Sequence, residues 1–231
     1  MNAPFKRPGG AMAKRELHFI WMLDTSGSMN VDGKIQSLNF AIRETIPLLQ
    51  AMARDNPNVE VLVRALTFSS GARWVIAEPT PVAAMRWSDV EAKGYTDMGA
   101  ALALAATALA VPPMPERAVS PVIVLVTDGH HTDDFEAGLA KLMAERWGRE
   151  AVRQAIAIGR DVSYQSLRAF IGNDDIEPLQ ANNQAALLQQ AQWASRSGVQ
   201  SASVALEPSE RKRLHQAQAS HVSDVAASDE W

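Results

Sequence analysis

The stretch His18-Phe19-Ile20-Trp21-Met22-Leu23-Asp24-Thr25-Ser26-Gly27-Ser28-Met29 constrains the fold most tightly. Its apolar run is too short for a helix of its own and lacks the alternation of a half-exposed strand. It therefore reads as a central strand covered on both faces. The run ends abruptly in a carboxylate, two serine hydroxyls and a glycine that lets the backbone bend between them. Asp24, Ser26 and Ser28 occupy every second position. Oxygens this close together suit Mg²⁺ or Mn²⁺ better than a metal that prefers sulfur.

Downstream, Asp32-Gly33 marks a turn in which Asp32 can cap the next helix. Ile35, Leu38, Ile42, Ile46, Leu49 and Met52 give that helix one apolar face, and Pro47 should kink it near Arg43. Val59 to Phe68 reads as a second strand, and Arg73 to Ala77 as a third, antiparallel at the sheet edge. Residues 78–93 read as a loop. Gly94-Tyr95-Thr96-Asp97-Met98-Gly99 then opens a small-residue helix through Ala110, which the prolines at 112, 113 and 115 stop. A second wholly apolar strand, Pro121 to Val126, runs into Thr127-Asp128-Gly129. Asp133 with Glu136 has the spacing of a capping box, ahead of the stripe Leu139, Leu142, Met143 and Trp147. The remaining elements are a strand over 154–158, a helix over 164–171, a strand over 176–179 and a helix over 184–193. Strands alternating with helices predict a three-layer, doubly wound, mainly parallel sheet with helices on both faces. Ligands bind such sheets at the carboxyl ends of the strands, where strand order reverses.

A chain of 231 residues suffices for one sizeable α/β core. The expected division is an N-terminal arm over 1–16, a domain over 17–198 and a disordered tail over 199–231. The tail's Asp229 and Glu230 could offer a carboxylate to a neighbouring copy. The absence of cysteine excludes disulfides and thiolate metal sites. A net charge of -4 without a basic run argues against a nucleic-acid partner. The arm carries Lys6, Arg7, Lys14 and Arg15 without an apolar core, unlike a secretory signal, and no stretch is apolar enough for a membrane span. A cytoplasmic location is expected.

Three polar groups thus converge on one sheet edge: Asp24 with Ser26 and Ser28, Thr96 at a helix start, and Asp128 after the second apolar strand. In this the sequence resembles the von Willebrand factor A domain family with its metal-ion-dependent adhesion motif. Asp24-Thr25-Ser26-Gly27-Ser28 matches D-x-S-x-S, Thr96 the distant threonine and Asp128 the distant aspartate. The resemblance spans roughly residues 17 to 197. It implies strand order 3-2-1-4-5-6 and one Mg²⁺ or Mn²⁺ at the top of the sheet. Ser26 and Ser28 would bind the ion directly, Thr96 directly or through water, and Asp24 and Asp128 mostly through waters. Hydroxyl ligands leave such an ion poorly neutralised, so it seeks a Glu or Asp carboxylate from a partner protein. Leu23 to Met29 and Val126 to Gly129 look most like bacterial TerY-type proteins, which are associated with tellurium resistance and stress, beside a protein kinase and a protein phosphatase.

Simpler roles suit the neighbouring residues. Asp97 reads as a helix cap, His130 and His131 as solvated loop residues, Trp21, Trp147 and Trp193 as core, and Trp74 and Trp87 as surface contacts. Gly27 to Lys34 misses the phosphate-loop pattern, because Gly33-Lys34 comes one residue late and Ile35 follows. A calcium loop fails too, with Met29 in place of the glycine and Ile35 in place of the glutamate. The expected function is a non-enzymatic, metal-dependent interaction module. Two alternatives are a metal-dependent hydrolase or phosphoryl-transfer enzyme, and a subunit of an ATPase-driven chelatase or remodelling complex. Against an enzyme, Ser26 replaces a second carboxylate two residues after Asp24, and no motif supplies a phosphoryl-steadying lysine.

Overall fold

Strand β1 (Arg15–Asp24) is buried at every residue from Leu17 to Asp24, as a central strand must be. The computed structural model describes residues 14–56 and 58–203. Within β1, Phe19, Trp21 and Leu23 join one apolar core, and Ile20 and Met22 join the other. Both sheet faces are therefore covered, which is why its sequence shows no polar alternation.

A short 3-10 segment (Gly27–Gly33) links β1 to α1 (Lys34–Asp55). There follow β2 (Val59–Ser69), β3 (Gly71–Pro81), α2 (Met98–Leu109), β4 (Val122–Thr127), α3 (Phe135–Ala144), α4 (Arg146–Glu150), β5 (Val152–Ile158), α5 (Tyr164–Ile171), β6 (Leu179–Ala181) and α6 (Gln184–Ser203). The six strands lie in the order β3-β2-β1-β4-β5-β6. β3 is antiparallel to β2, and the other pairs are parallel. Trp21 is in register with Ala65 on one side and Val124 on the other, so β1 and β4 end together at the switch point. α1 and α6 cover one face, and α2 to α5 the other.

α1 is one continuous helix with Pro47 inside it, and it packs against α6. Several local expectations need correction. Asp32 does not cap α1: Asp32 and Gly33 both take left-handed conformations (φ 55° and 71°) and turn the chain instead. β3 extends to Pro81, because an edge strand tolerates prolines that a central strand would not. Asp134, not Asp133, caps α3, accepting a hydrogen bond of 2.8 Å from the Ala137 N–H. Residues 15 and 16 belong to β1 rather than to an arm. α6 reaches Ser203 instead of ending near 193, with Val199 and Ala202 in the core. Its periodicity is hidden by buried serines; Ser195 Oγ, for example, donates to the Ala191 carbonyl at 2.7 Å, which satisfies the hydroxyl inside an apolar face. The earlier part of the expected arm, the expected tail from residue 204, and Asp229 and Glu230 lie outside the described residues.

α2 and α3 meet backbone to backbone. A Cβ on Gly138 would lie 2.3 Å from the Gly99 carbonyl oxygen, closer than atoms pack. That approach holds the loop after β4 against the start of α2. Gly138→Ala should therefore lower stability by about 1–3 kcal/mol, seen as an earlier urea midpoint in chelator; an unchanged midpoint would mean that the two helices separate freely.

Candidate metal centre

The turn after β1 is wound around the carboxylate that ends the strand. Asp24 Oδ1 accepts the Ser26 N–H at 2.7 Å, and Asp24 Oδ2 accepts the hydroxyl of Thr127 from the neighbouring strand. Ser26 Oγ and Ser28 Oγ are 3.0 Å apart, and Ser28 Oγ donates to Asp128 Oδ1 at 2.7 Å. One continuous chain of polar contacts thus joins the ends of β1 and β4.

Thr96 reaches the same place by way of the loop over residues 82–97. That loop is long, and an ordered one needs anchors. Asn39, buried in α1, supplies two: its Nδ2 donates to the Val90 carbonyl and its Oδ1 accepts the Val90 N–H, both at 2.9 Å. Asn30 Nδ2 donates to the Ala92 carbonyl at 2.8 Å. The Lys93 N–H donates to the Thr25 carbonyl at 2.8 Å, and the Gly27 N–H to the Gly94 carbonyl at 2.9 Å. Gly27 serves this close approach rather than a left-handed bend, since a Cβ there would sit 3.2 Å from the Gly94 oxygen. From the far side, Thr132 Oγ1 accepts the Thr96 N–H, and the Thr132 N–H donates to the Thr96 carbonyl, each at 2.9 Å.

Ser28 Oγ and Thr96 Oγ1 lie 3.8 and 3.9 Å from the point where a Cβ on Gly129 would stand. The missing side chain leaves space between them. Asp24, Ser26, Ser28, Thr96 and Asp128 are therefore brought together as two carboxylates and three hydroxyls, an all-oxygen set suited to a hard divalent cation. Ser26, Thr96 and Asp128 are largely buried, while Ser28 faces solvent. Among the described residues no group of three or more His, Cys, Asp or Glu side chains could hold a metal, and this site too relies on hydroxyls to complete its oxygen set.

Burial pushes the Asp24 carboxyl up to about 6, against the lowering effect of its hydrogen bonds from Ser26 and Thr127; the nearby Asp128 charge adds a smaller upward push. A cation at the rim would offset that desolvation directly.

One residue at the site went unanticipated. Lys34, the first residue of α1, places its Nζ 2.8 Å from Asp128 Oδ2. Its only sequence signal was a cation at a helix N-terminus, where the helix dipole disfavours it. Asp97 has a different role from the expected cap: its Oδ2 accepts the Gly71 N–H at 2.7 Å and its Oδ1 the Thr132 hydroxyl at 2.9 Å. The N-terminus of α2 is capped instead by Asp133, which accepts the Gly99 and Ala100 N–H groups at 2.8 and 2.7 Å. His130 is exposed and 3.4 Å from Asp161, while His131 stacks on Phe135. Trp21 and Trp147 are core, Trp193 is partly buried, and Trp87 donates to Asn39.

Residues 19–131 match the model of the von Willebrand factor type A domain. Among solved structures, a von Willebrand factor type A protein from Catenulispora acidiphila matches with a TM-score of 0.63 at 17% identity, over 80% of this chain and 43% of that one. Proximal thread matrix protein 1 from the mussel byssus, with a zinc-occupied MIDAS motif, gives 0.58 at 17% identity over 79% and 48%. The open conformation of the pilus adhesin SpaC from Lactobacillus rhamnosus GG gives 0.63 at 13% identity over 83% and 31%. This chain spans less than half the length of each. No curated protein matches it.

The raised carboxyl makes a signed prediction. Because the native state holds the Asp24 proton up to about pH 6 and the unfolded chain only to 3.8, stability from this group falls as pH rises between those values and is flat above. The loss is on the order of 3 kcal/mol. In chelator, Asp24→Asn should be more stable than wild type at pH 7, with the gap closing toward pH 4. A gap independent of pH in denaturant titrations would contradict the assignment.

Proposed function

The chain carries a von Willebrand factor type A domain, and on that premise we propose that it is a divalent-metal-dependent protein-interaction module that captures an acidic side chain of a partner. The observation that carries this reading is the polar chain from Asp24 through Ser26 and Ser28 to Asp128, with Thr96 facing it across Gly129. When bound, a divalent ion supplies a Lewis-acidic position able to exchange a water for a carboxylate oxygen. Ser26, Ser28 and Thr96 are the neutral oxygens for it, and Asp24 and Asp128 the anionic ones. Because the Lys34 ammonium stands beside the two carboxylates, a bound divalent ion would leave the rim with net positive charge that attracts an anion. With no His or Cys in the set, Mg²⁺ or Mn²⁺ is preferred over zinc, the metal at the mussel protein's motif.

The surroundings suit an acidic protein surface. Tyr95, 69% exposed, stands next to Thr96 and offers a broad apolar contact. Beside it a cavity of ≈ 450 Å³ is lined by Arg73 and Lys93, among others. The reading is non-enzymatic. Asp24 is 0% exposed and both its oxygens are engaged, so it has no path to act as a nucleophile toward a phosphoester. Lys34 does supply a lysine at the site, but next to Asp128. At the finer level, Leu23 to Met29 and Val126 to Gly129 support a TerY-like role in a bacterial, cytoplasmic stress or tellurium-resistance complex, alongside a kinase and a phosphatase.

Calorimetric titration tests the module. Wild type should bind one Mg²⁺ or Mn²⁺, while Ser26→Ala with Ser28→Ala should lose binding by at least about 100-fold and keep its circular dichroism, because hydroxyls and not core atoms are removed. Intact affinity in that double variant would defeat the assignment. Pull-downs from a bacterial lysate should recover partners in Mg²⁺ that chelator releases; turnover of a generic phosphoester, abolished in Asp24→Asn, would favour the hydrolase instead.

A further inference from the structure

Lys34 sits where local rules disfavour it. It opens a helix whose first turn holds no acidic residue, so its charge opposes the helix dipole without local compensation. The chain turns sharply just before it through the left-handed Asp32 and Gly33. Its ammonium then lies 2.8 Å from Asp128 Oδ2, with the Lys34 side chain 17% exposed and that of Asp128 0%. Asp128 Oδ1 is already occupied by the Ser28 hydroxyl. Of the two carboxylates at the site, one is therefore paired with a cation of the chain itself. A local penalty retained at a polar site is a mark of function.

Charge decides the consequence. Asp24 and Asp128, when ionised, together with Lys34 sum to -1, so a divalent ion makes the loaded site +1. Without the lysine it would be neutral. We propose that Lys34 is a tethered cation that sets the metal affinity of the site, pairing with Asp128 in the metal-free protein and opposing the incoming ion. The pair also explains how Asp128 stays buried before an ion arrives, since a lone buried carboxylate is costly. Lys34 thus trades metal affinity for a metal-free state that stays intact.

This inference rests on the metal-binding reading, and one set of titrations separates the two. Mg²⁺ is titrated by calorimetry into the chelator-stripped full chain and into three variants at one pH and ionic strength. Lys34→Gln keeps a donor for Asp128 without the charge, Lys34→Met removes both, and Lys34→Arg keeps both. The Gln and Met variants should bind Mg²⁺ about tenfold more tightly, and the Arg variant within about threefold of wild type. The Mg²⁺-induced rise in melting temperature should also be larger for Gln and Met, a readout that needs no partner. Binding by Lys34→Gln but not by wild type would support the proposal in its strongest form. Equal or weaker affinity in natively folded Lys34→Gln would overturn it while leaving the metal site intact. Absence of binding by wild type and every variant would overturn both.

Discussion

The carboxylate of Asp24 is held at the end of the central strand, out of contact with water. The strand places it there because Phe19 to Leu23 are buried on both sides, and β1 cannot shift without moving that entire apolar run. Two hydrogen bonds then fix its direction. The one from the Ser26 N–H winds the turn that presents Ser26 and Ser28, and the one from Thr127 ties β1 to the strand that delivers Asp128. The surrounding site is built outward from this buried acid.

Burial of a carboxylate is unfavourable on its own, and the site is arranged so that its energetics favour company. Asp128 has an internal cation in Lys34; Asp24 has only neutral donors. On the proposed reading, a site with one acid already paired and the other waiting would respond to a divalent ion without needing it to fold. The same imbalance leaves surplus positive charge once loaded, which is what an acidic partner would read.

A mainly parallel sheet and the five convergent residues were legible in local signals, namely unbroken apolar runs for β1 and β4, polar residues at their ends and a helix start at Thr96, whereas the strand order was implied only by the resemblance to the von Willebrand factor A family. What escaped detection depended on contacts between segments distant in sequence. Lys34 meets Asp128 only once the switch point forms, and Asp133 caps α2 through Gly99, 34 residues before it. Asn39 carries no local sign of its role, yet it pins the loop that carries Thr96. The end of α6 was hidden because serine hydroxyls bonded to their own helix can stand in a core. The edge position of β3 was expected, but only its pairing with β2 shows that it runs on over two prolines.

Anomalous diffraction from a crystal soaked in Mn²⁺ interrogates the assembled rim without any assumption about partner or pathway. The ion should give one strong peak between the hydroxyls of Ser26, Ser28 and Thr96, with Asp24 and Asp128 on its inner side and the Lys34 ammonium withdrawn from Asp128. A saturating soak that leaves this position empty, or a peak at an unrelated cluster of carboxylates, would contradict the account at its centre.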